Sequence, residues 1–435
     1  MELGCNPQVA PVFRLPAETF RHIFGYFAAI DKDIWERCIQ VPLTQVCRFW
    51  RTIALDMPIL WNYILVRLPR DEPLDRVAAY FARSQSSKIT LNIFDDWEQA
   101  TFTPQGPILQ QLLRLIRNYH SQLECVTLVL HGDIQEFIRA LSHCQFTSMT
   151  SLSLDLNCPR YSRFATDELA LLFQRGSNIS QLSYKGLFVK PSPHLAATLT
   201  HLQVIGPQKL PTELIYDVLR QYPELISLDV DRIVPGVPTA LPATVVTVPK
   251  LEKLKATWNQ VDPGLLLSRL EAPSLHTLDI RQSLKSSAER HHTLLDDFLT
   301  RSRCNLRSLI FGDALISSEG LAHYLRLPGL QSLTSLRLLR PTPSEEVLRC
   351  FSSRPGDVGS DGVLPHLESL HLAQKCAFPD GAFRDIFASR SAHSGYSALR
   401  YLGVDIPESH AADIAYLESL TAAGTSVQRF YSSER

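Results

Sequence analysis

Two apolar periods alternate along this chain. Phe20, Ile23, Phe24 and Phe27 fall at i, i+3, i+4 and i+7, which predicts a helix entered through Pro16 near its first turn. Leu43, Val46, Cys47 and Trp50 repeat that spacing and predict a second helix starting at Pro42. A shorter helix near Ile34–Ile39, carrying Trp35, Cys38 and Ile39, is expected between them. Further on, Leu74, Val77, Ala78 and Phe81 predict a helix over Glu72–Ser84. The period then changes to two. Ile89, Leu91 and Ile93 alternate with Thr90 and Asn92, as in a half-buried strand over Lys88–Phe94. Pro104–Gly106 reads as a turn and Ile108–Tyr119 as another helix.

From Leu123 onward the helix–strand alternation becomes a repeat. A Leu-x-x-Leu-x-Leu-like unit occurs eleven times, from Leu123/Val126/Leu128 and Met149/Leu152/Leu154 to Leu367/Leu370/Leu372 and Leu399/Leu402/Val404. The average interval is about 28 residues, inside the roughly 20–29 of leucine-rich repeats, with single intervals from 20 to 34. The alternating tail of each unit predicts a short strand with one apolar face, and the residue three earlier packs beneath it. Helical returns are expected over Thr166–Gln174, Pro211–Gln221, His292–Arg301 and Pro379–Ala388. One unit is too small to bury its apolar face, so stacking supplies the stability. The Asn expected three residues after the last apolar position occurs only at Asn157 and Asn259, which marks the repeats as degenerate. Pro235–Pro249 and Arg354–Gly362 read as loops leaving the repeat surface. Glu408–Ala423 and Val427–Tyr431 read as a helix and last strand capping the array.

Composition narrows the function classes. The chain has 435 residues, 45% of them apolar and 20% charged, which suits a soluble folded protein too long for one core. With 43 basic and 44 acidic residues the net charge is −1, which argues against a nucleic-acid or membrane-surface partner. Nine cysteines without a C-x-x-C pair favour reduced thiols, hence a cytoplasmic or nuclear setting. The first residues lack the basic and apolar regions of a signal peptide, and no apolar run reaches membrane-spanning length.

Candidate chemistry is sparse. The sequence has no G-x-S-x-G, H-E-x-x-H, G-x-x-x-x-G-K-[ST] or G-x-G-x-x-G. His291-His292 cannot share a helix face, Cys144 and Cys158 lack flanking ligands, and Asp95-Asp96 and Asp296-Asp297 read as solvated acids. Cys47 lies on an apolar stripe and reads as packed. No catalytic residue, cofactor or metal is expected, and an enzyme on an α/β fold remains the weakest of three readings.

Leu15-Pro-x-Glu18, the Ile23-Phe24 pair, Val46-Cys47-Arg48-x-Trp50 and the closing Leu60-Trp61 occur in that order. Together they resemble an F-box, over about one eighth of the chain. Thr19-Phe20 departs from the aliphatic residue that usually follows the glutamate, and the Ala28–Val41 segment is long. The fold class expected is therefore α+β, a short three-helix F-box followed by an α/β leucine-rich-repeat solenoid. Its parts are a tail (1–11), the F-box (12–64), a linker helix with irregular first repeats (65–122) and the solenoid with its cap (123–435). The resemblance implies that the helices bind a Skp-type adaptor and, through it, a cullin–RING ubiquitin ligase. The residues it assigns to that contact are Leu15, Pro16, Glu18, Phe20, Ile23, Phe24, Phe27, Val46, Cys47, Trp50, Leu60 and Trp61. An F-box/repeat scaffold that does not direct ubiquitination is the second reading. The side chains between the strand leucines would line a concave face. There Asp229, Asp231, Lys253, Lys255, Asp279, Arg281, Arg337 and His371 form the expected docking patch for an unnamed protein target.

Overall fold

Helix α1 (Ala17–Ile30) begins directly after Pro16, as the sequence predicts. The second predicted helix is broken in two. Cys47 is extended (φ −160°, ψ 173°), and its Sγ accepts the Trp50 N–H at 3.4 Å. It thereby caps α3 (Arg48–Leu55) and separates it from α2 (Gln40–Val46). Within α2 Leu43 is buried, whereas Val46, its last residue before the break, is exposed.

The protein is described here by a computed structural model covering residues 15–30, 40–68, 74–95, 107–130, 135–155, 164–176, 178–186, 189–206, 209–234, 244–258, 264–282, 293–312, 316–340, 344–351, 363–375, 378–391 and 396–429. The helix expected at Ile34–Ile39, the turn at Pro104–Gly106, Asn259 and the Arg354–Gly362 loop lie outside these residues.

The chain divides into two compact units, Met1–Lys185 and Gly186–Arg435. The first unit continues from α3 through a short 3-10 turn (Pro58–Leu60) into β1 (Tyr63–Leu68), α4 (Leu74–Arg83), β2 (Ile89–Asp95) and α5 (Pro107–Tyr119). It then runs through β3 (Leu123–Val129), α6 (Gln135–Ser142), β4 (Ser151–Asp155), α7 (Phe164–Arg175) and β5 (Gln181–Lys185). Its strands lie parallel in sequence order. Register places Ile64, Leu91, Val126, Leu152 and Leu182 in one row, and Val66, Ile93, Leu128, Leu154 and Tyr184 in the next. All ten are buried. β1 and β2 thus already belong to the ladder, ahead of the first motif legible in the sequence.

The second unit holds β6 (His201–Ile205), β7 (Leu210–Pro211), α8 (Thr212–Gln221), β8 (Ser227–Val234), β9 (Val246–Thr247) and β10 (Lys253–Trp258). It continues with α9 (Gly264–Leu267), β11 (Leu270–Glu271), β12 (Thr277–Gln282), α10 (Thr293–Ser302), β13 (Ser308–Gly312) and α11 (Ser318–Leu325). Then follow β14 (Ser335–Arg340), α12 (Glu345–Arg349), β15 (Ser369–Lys375), α13 (Ala382–Ser391), β16 (Tyr401–Asp405), α14 (Ala411–Ala422) and β17 (Ser426–Arg429). The main ladder runs β6-β8-β10-β12-β13-β14-β15-β16-β17, parallel wherever its pairing is described. Leu202, Leu228, Leu254, Leu278, Leu309, Leu336, Leu370 and Leu402 form its buried row.

The residue three before each row explains the motif. Leu123, Met149, Ile179, Leu199, Leu225, Leu251, Leu275, Leu306, Leu333 and Leu367 have no exposed surface, whereas Leu399, near the end of the array, is half-buried. A recurring main-chain bond registers the repeats: Ile226 N–H donates to Thr200 O at 2.7 Å, Glu252 to Ile226 at 2.8 Å and His276 to Glu252 at 3.0 Å. The expected returns appear as α7, α8, α10 and α13, with bounds shifted by at most a few residues. The shortest interval, from Ile179 to Leu199, returns by a 3-10 turn (Pro193–Ala197), since it has too few residues for a full helix.

Basic side chains in the last turn of three return helices reach back to carbonyls of the preceding repeat. Arg175 donates to His143 O, Arg301 to Leu267 O and Leu270 O, and Arg390 to Val363 O and Leu364 O. Each also sits at the negative end of its own helix. Arg390 is 2% exposed, and burial pulls its pKa down to about 10; its guanidinium lies 4.5 Å from the Tyr396 ring.

Of the Pro235–Pro249 segment only residues 244–249 are described, and they do not read as a departing loop. Val246 and Val248 are buried, and β9 pairs in parallel with β11 beside the main ladder. Alternate burial of two valines outweighs the neighbouring prolines. The helix and last strand expected after β16 appear as α14 and β17, and β17 pairs in parallel with β16.

Candidate protein-docking surfaces

Helix α1 has two apolar faces. Phe20 and Phe24 point inward, 1% and 0% exposed. Both rings meet Trp50 of α3, with centroids 5.4 and 5.1 Å apart. Ile23, Tyr26 and Phe27 point outward at i, i+3 and i+4. The single stripe expected at Phe20/Ile23/Phe24/Phe27 therefore splits between core and surface.

The other adaptor-contact candidates split in the same way. Leu60 and Trp61 are buried; Trp61 Nε1 donates to Ala54 O at 2.8 Å, and its ring meets Tyr80 at 5.2 Å and Arg83 at 4.5 Å. This tryptophan joins α3 to α4, so it ties the helices to the first repeat. Cys47 and Trp50 are half-buried, whereas Leu15, Pro16, Glu18 and Val46 are exposed. Phe20, Phe24, Leu60 and Trp61 consequently support a surface they do not form.

Tyr26, Phe49, Leu55 and Ile59 join that surface and were missed from the sequence. Tyr26 stands beside the first expected stripe, and Phe49 beside Trp50 of the second. Only the inward choice of Phe20 and Trp50 reveals the second face. Among the described residues ten large hydrophobics are exposed, and eight lie between Leu15 and Ile59. Such a concentration marks an interaction surface, where single scattered ones would not. Arg21 bridges this region by pairing with Asp56 at 2.9 Å, between α1 and the end of α3.

The open face of the second unit's sheet carries the other candidates. Register lines up Gln203, Asp229, Lys255, Asp279, Ile310, Arg337, His371 and Gly403 across successive strands. The expected patch resolves into smaller groups. Asp229 accepts from both Lys255 Nζ at 2.8 Å and Gln203 Nε2 at 2.9 Å. Asp279 is 4% exposed and receives Arg281 through Nε and Nη2, both at 2.8 Å. This hydrogen bond is the main reason the Arg281 pKa is raised. Asp231 pairs with its neighbour Arg232, and Lys253 is exposed. Arg337 and His371 adjoin each other beyond Ile310. Burial, and then the Arg337 charge, lower the His371 pKa. Much of the mid-array charge is thus satisfied within the sheet, leaving Lys253 and Arg337 as exposed cationic points.

Burial raises the thiol pKa of Cys144 and Cys350, and that of Cys304 to about 11. Protonated, buried thiols are poor nucleophiles. No helix among the described residues is long and apolar enough to cross a membrane.

Residues 12–67 match the F-box-like family. The match ends inside β1, so the module's last residues are also the first rung of the ladder. Among solved structures the chain is similar to an internalin from Listeria monocytogenes, at 14% identity and a TM-score of 0.38, covering 85% of this chain and 94% of that one. It is also similar to a Bacteroides fragilis protein, at 13% identity and a TM-score of 0.34, covering 76% of each chain. No curated protein matches it. Residues 12–67 thus form a region that matches the F-box-like family, and the chain continues into a parallel ladder with buried leucine rows at a repeating interval.

Proposed function

We propose that this protein is the substrate-recognition subunit of a Skp–cullin–F-box ubiquitin ligase, working in the cytoplasm or nucleus. The helices hold a Skp-type adaptor, and the open sheet face of the repeats holds a protein target. The protein performs no chemistry itself; it raises the effective concentration of the target near the ubiquitin-charged enzyme. The observation that supports this reading most is the concentration of exposed Leu15, Ile23, Tyr26, Phe27, Val46, Phe49, Leu55 and Ile59 on a module matching the F-box-like family. A small helical module with that much apolar surface gains stability by covering it.

Co-purification of the full chain with a Skp-type adaptor tests the first half. Ile23→Asp with Phe27→Asp is expected to abolish capture while circular dichroism stays unchanged, because both side chains are exposed. Failure of the wild type to bind, or capture of the folded double variant, overturns the assignment. Ubiquitination of co-purified proteins by the reconstituted complex tests the second half, and its absence there leaves a scaffold without ligase function.

A further inference from the structure

The last two described return helices enclose a polar cluster that neither docking surface uses. Asp413, in the first turn of α14, is fully buried. Its Oδ1 accepts the Arg384 N–H at 2.9 Å, at the start of α13. Its Oδ2 has no hydrogen-bond partner among the described residues. That oxygen lies 3.4 Å from His410 Nδ1, also buried and without a hydrogen bond among the described residues. Asp380, just before α13, is exposed and accepts the Ala412 N–H at 3.0 Å and the Asp413 N–H at 3.2 Å. One ligand atom from each of Asp380, His410 and Asp413 lies within 4.8 Å of the others.

The reciprocal bonds between these helices account for Asp380 and for half of the Asp413 carboxylate. They leave a buried carboxylate oxygen facing a buried imidazole nitrogen. A buried acceptor without a donor is unfavourable, and an ion bound by both atoms removes the deficit. Metal–ligand lengths of about 2.0–2.2 Å place neighbouring tetrahedral ligand atoms roughly 3.3–3.6 Å apart, which brackets the observed separation. Two carboxylates and one imidazole are a donor set suited to zinc-type divalent cations. The Phe378 ring, with its centroid 5.9 Å from that of His410, helps fix the imidazole. The N-terminal end of α14 and the Arg384 guanidinium oppose a cation, but Arg384 is engaged by Asp385 at 2.7 Å, and two carboxylates offset the helix end. Asp380 is open to solvent and leaves room for water as a fourth ligand.

We propose that Asp380, His410 and Asp413 form a zinc-type divalent-cation site that ties α13 to α14. Asp380 belongs to one repeat and the other two ligands to the next, so the ion cross-links consecutive repeats near the C-terminal cap. The metal would thereby hold in place the element that closes the array.

The test uses the full chain after chelation and dialysis, titrated with Zn²⁺ alone by calorimetry and with Co²⁺ followed by visible absorption. One equivalent is expected to bind, with a several-fold slowing of amide exchange across residues 382–391 and 411–422. Asp413→Asn keeps the acceptor for Arg384 but loses the charge, and His410→Ala removes the imidazole. Each is expected to weaken Zn²⁺ binding by about tenfold or more while circular dichroism is unchanged. Three results each overturn the site: no binding by the wild type, equal affinity in both folded variants, or amide protection that responds to pH but not to metal.

Discussion

Apolar side chains meet opposite fates in the F-box-like helices and in the repeat ladder. In the ladder each strand gives one face to the interior, and every leucine of the second unit's row from Leu202 to Leu402 is buried. In the helices Phe20, Phe24, Leu60 and Trp61 are buried, yet Ile23, Tyr26, Phe27 and Val46 remain outside. Parallel strands can bury a row indefinitely, because each new strand covers the previous one. Three short helices have no such neighbour and run out of interior. Surplus apolar surface in the helices and saturated surface in the ladder are therefore consequences of geometry. They also separate a module with surplus apolar surface from one whose apolar rows are covered by the next strand.

The comparison breaks first at tryptophan. Trp61→Ala is expected to cost about 3–5 kcal/mol, through lost ring packing and the lost Nε1 bond, measured by denaturant unfolding of the full chain. Ile59→Ala, 49% exposed and two residues earlier, is expected to stay within about 0.5 kcal/mol but to weaken adaptor capture. Similar destabilisation by both would erase the distinction between buried and docking residues. In the ladder, Leu254→Ala is expected to cost about 2–5 kcal/mol, with no effect on adaptor capture.

Two smaller effects sharpen the contrast. Asp279→Ala strips Arg281 of its bidentate partner and is expected to cost about 1–3 kcal/mol, seen as a lower urea midpoint; pairing it with Arg281→Ala should recover part of the loss. Tyr216→Phe removes the hydroxyl that donates to Leu266 O at 2.7 Å, worth about 1 kcal/mol in the same assay.

Alkaline pH supplies the mildest perturbation. Burial lifts the Cys304 thiol from 9.0 to about 11 and the Tyr216 hydroxyl from 10.0 to about 12. The folded protein holds these protons longer than the unfolded chain, so the Cys304 contribution is full below about pH 9 and lost as pH rises through about 11, and the Tyr216 contribution is full below about pH 10 and lost as pH rises through about 12. Urea midpoints should fall from pH 8.5 to 10.5, and Cys304→Ala should flatten the fall. A midpoint that rises over this range would contradict the burial of Cys304.

Legibility in the sequence followed the strength of periodic signals. The residues from Leu123 to Leu367 were found because a buried position recurs with fixed offsets, Leu-x-x-Leu-x-Leu, whatever lies between. The strands β1 and β2 lack a leucine three residues ahead of their row; alternation marks β2 as a strand over Lys88–Phe94, and pairing of β1 to β2 and of β2 to β3 places both in the ladder. The helix across Cys47 was misjudged because i, i+3, i+4 spacing continues through a residue whose backbone is extended. Of the charged patch, the sequence supplied the residues; the register showed that Asp229 and Lys255 neutralise each other whereas Lys253 does not share that pair.

The sequence by itself determined the repeat, the order of helix and strand, and the F-box-like signature, because each depends on local spacing along the chain. Tertiary structure decided which apolar residues are left over, since Phe24 and Phe27 are alike in sequence terms and differ only in what packs against α1. It also brought Asp380 beside His410 and Asp413, thirty residues onward, because stacking places equivalent positions of successive repeats side by side. Periodicity names the faces of an element; only its neighbours determine which face is covered.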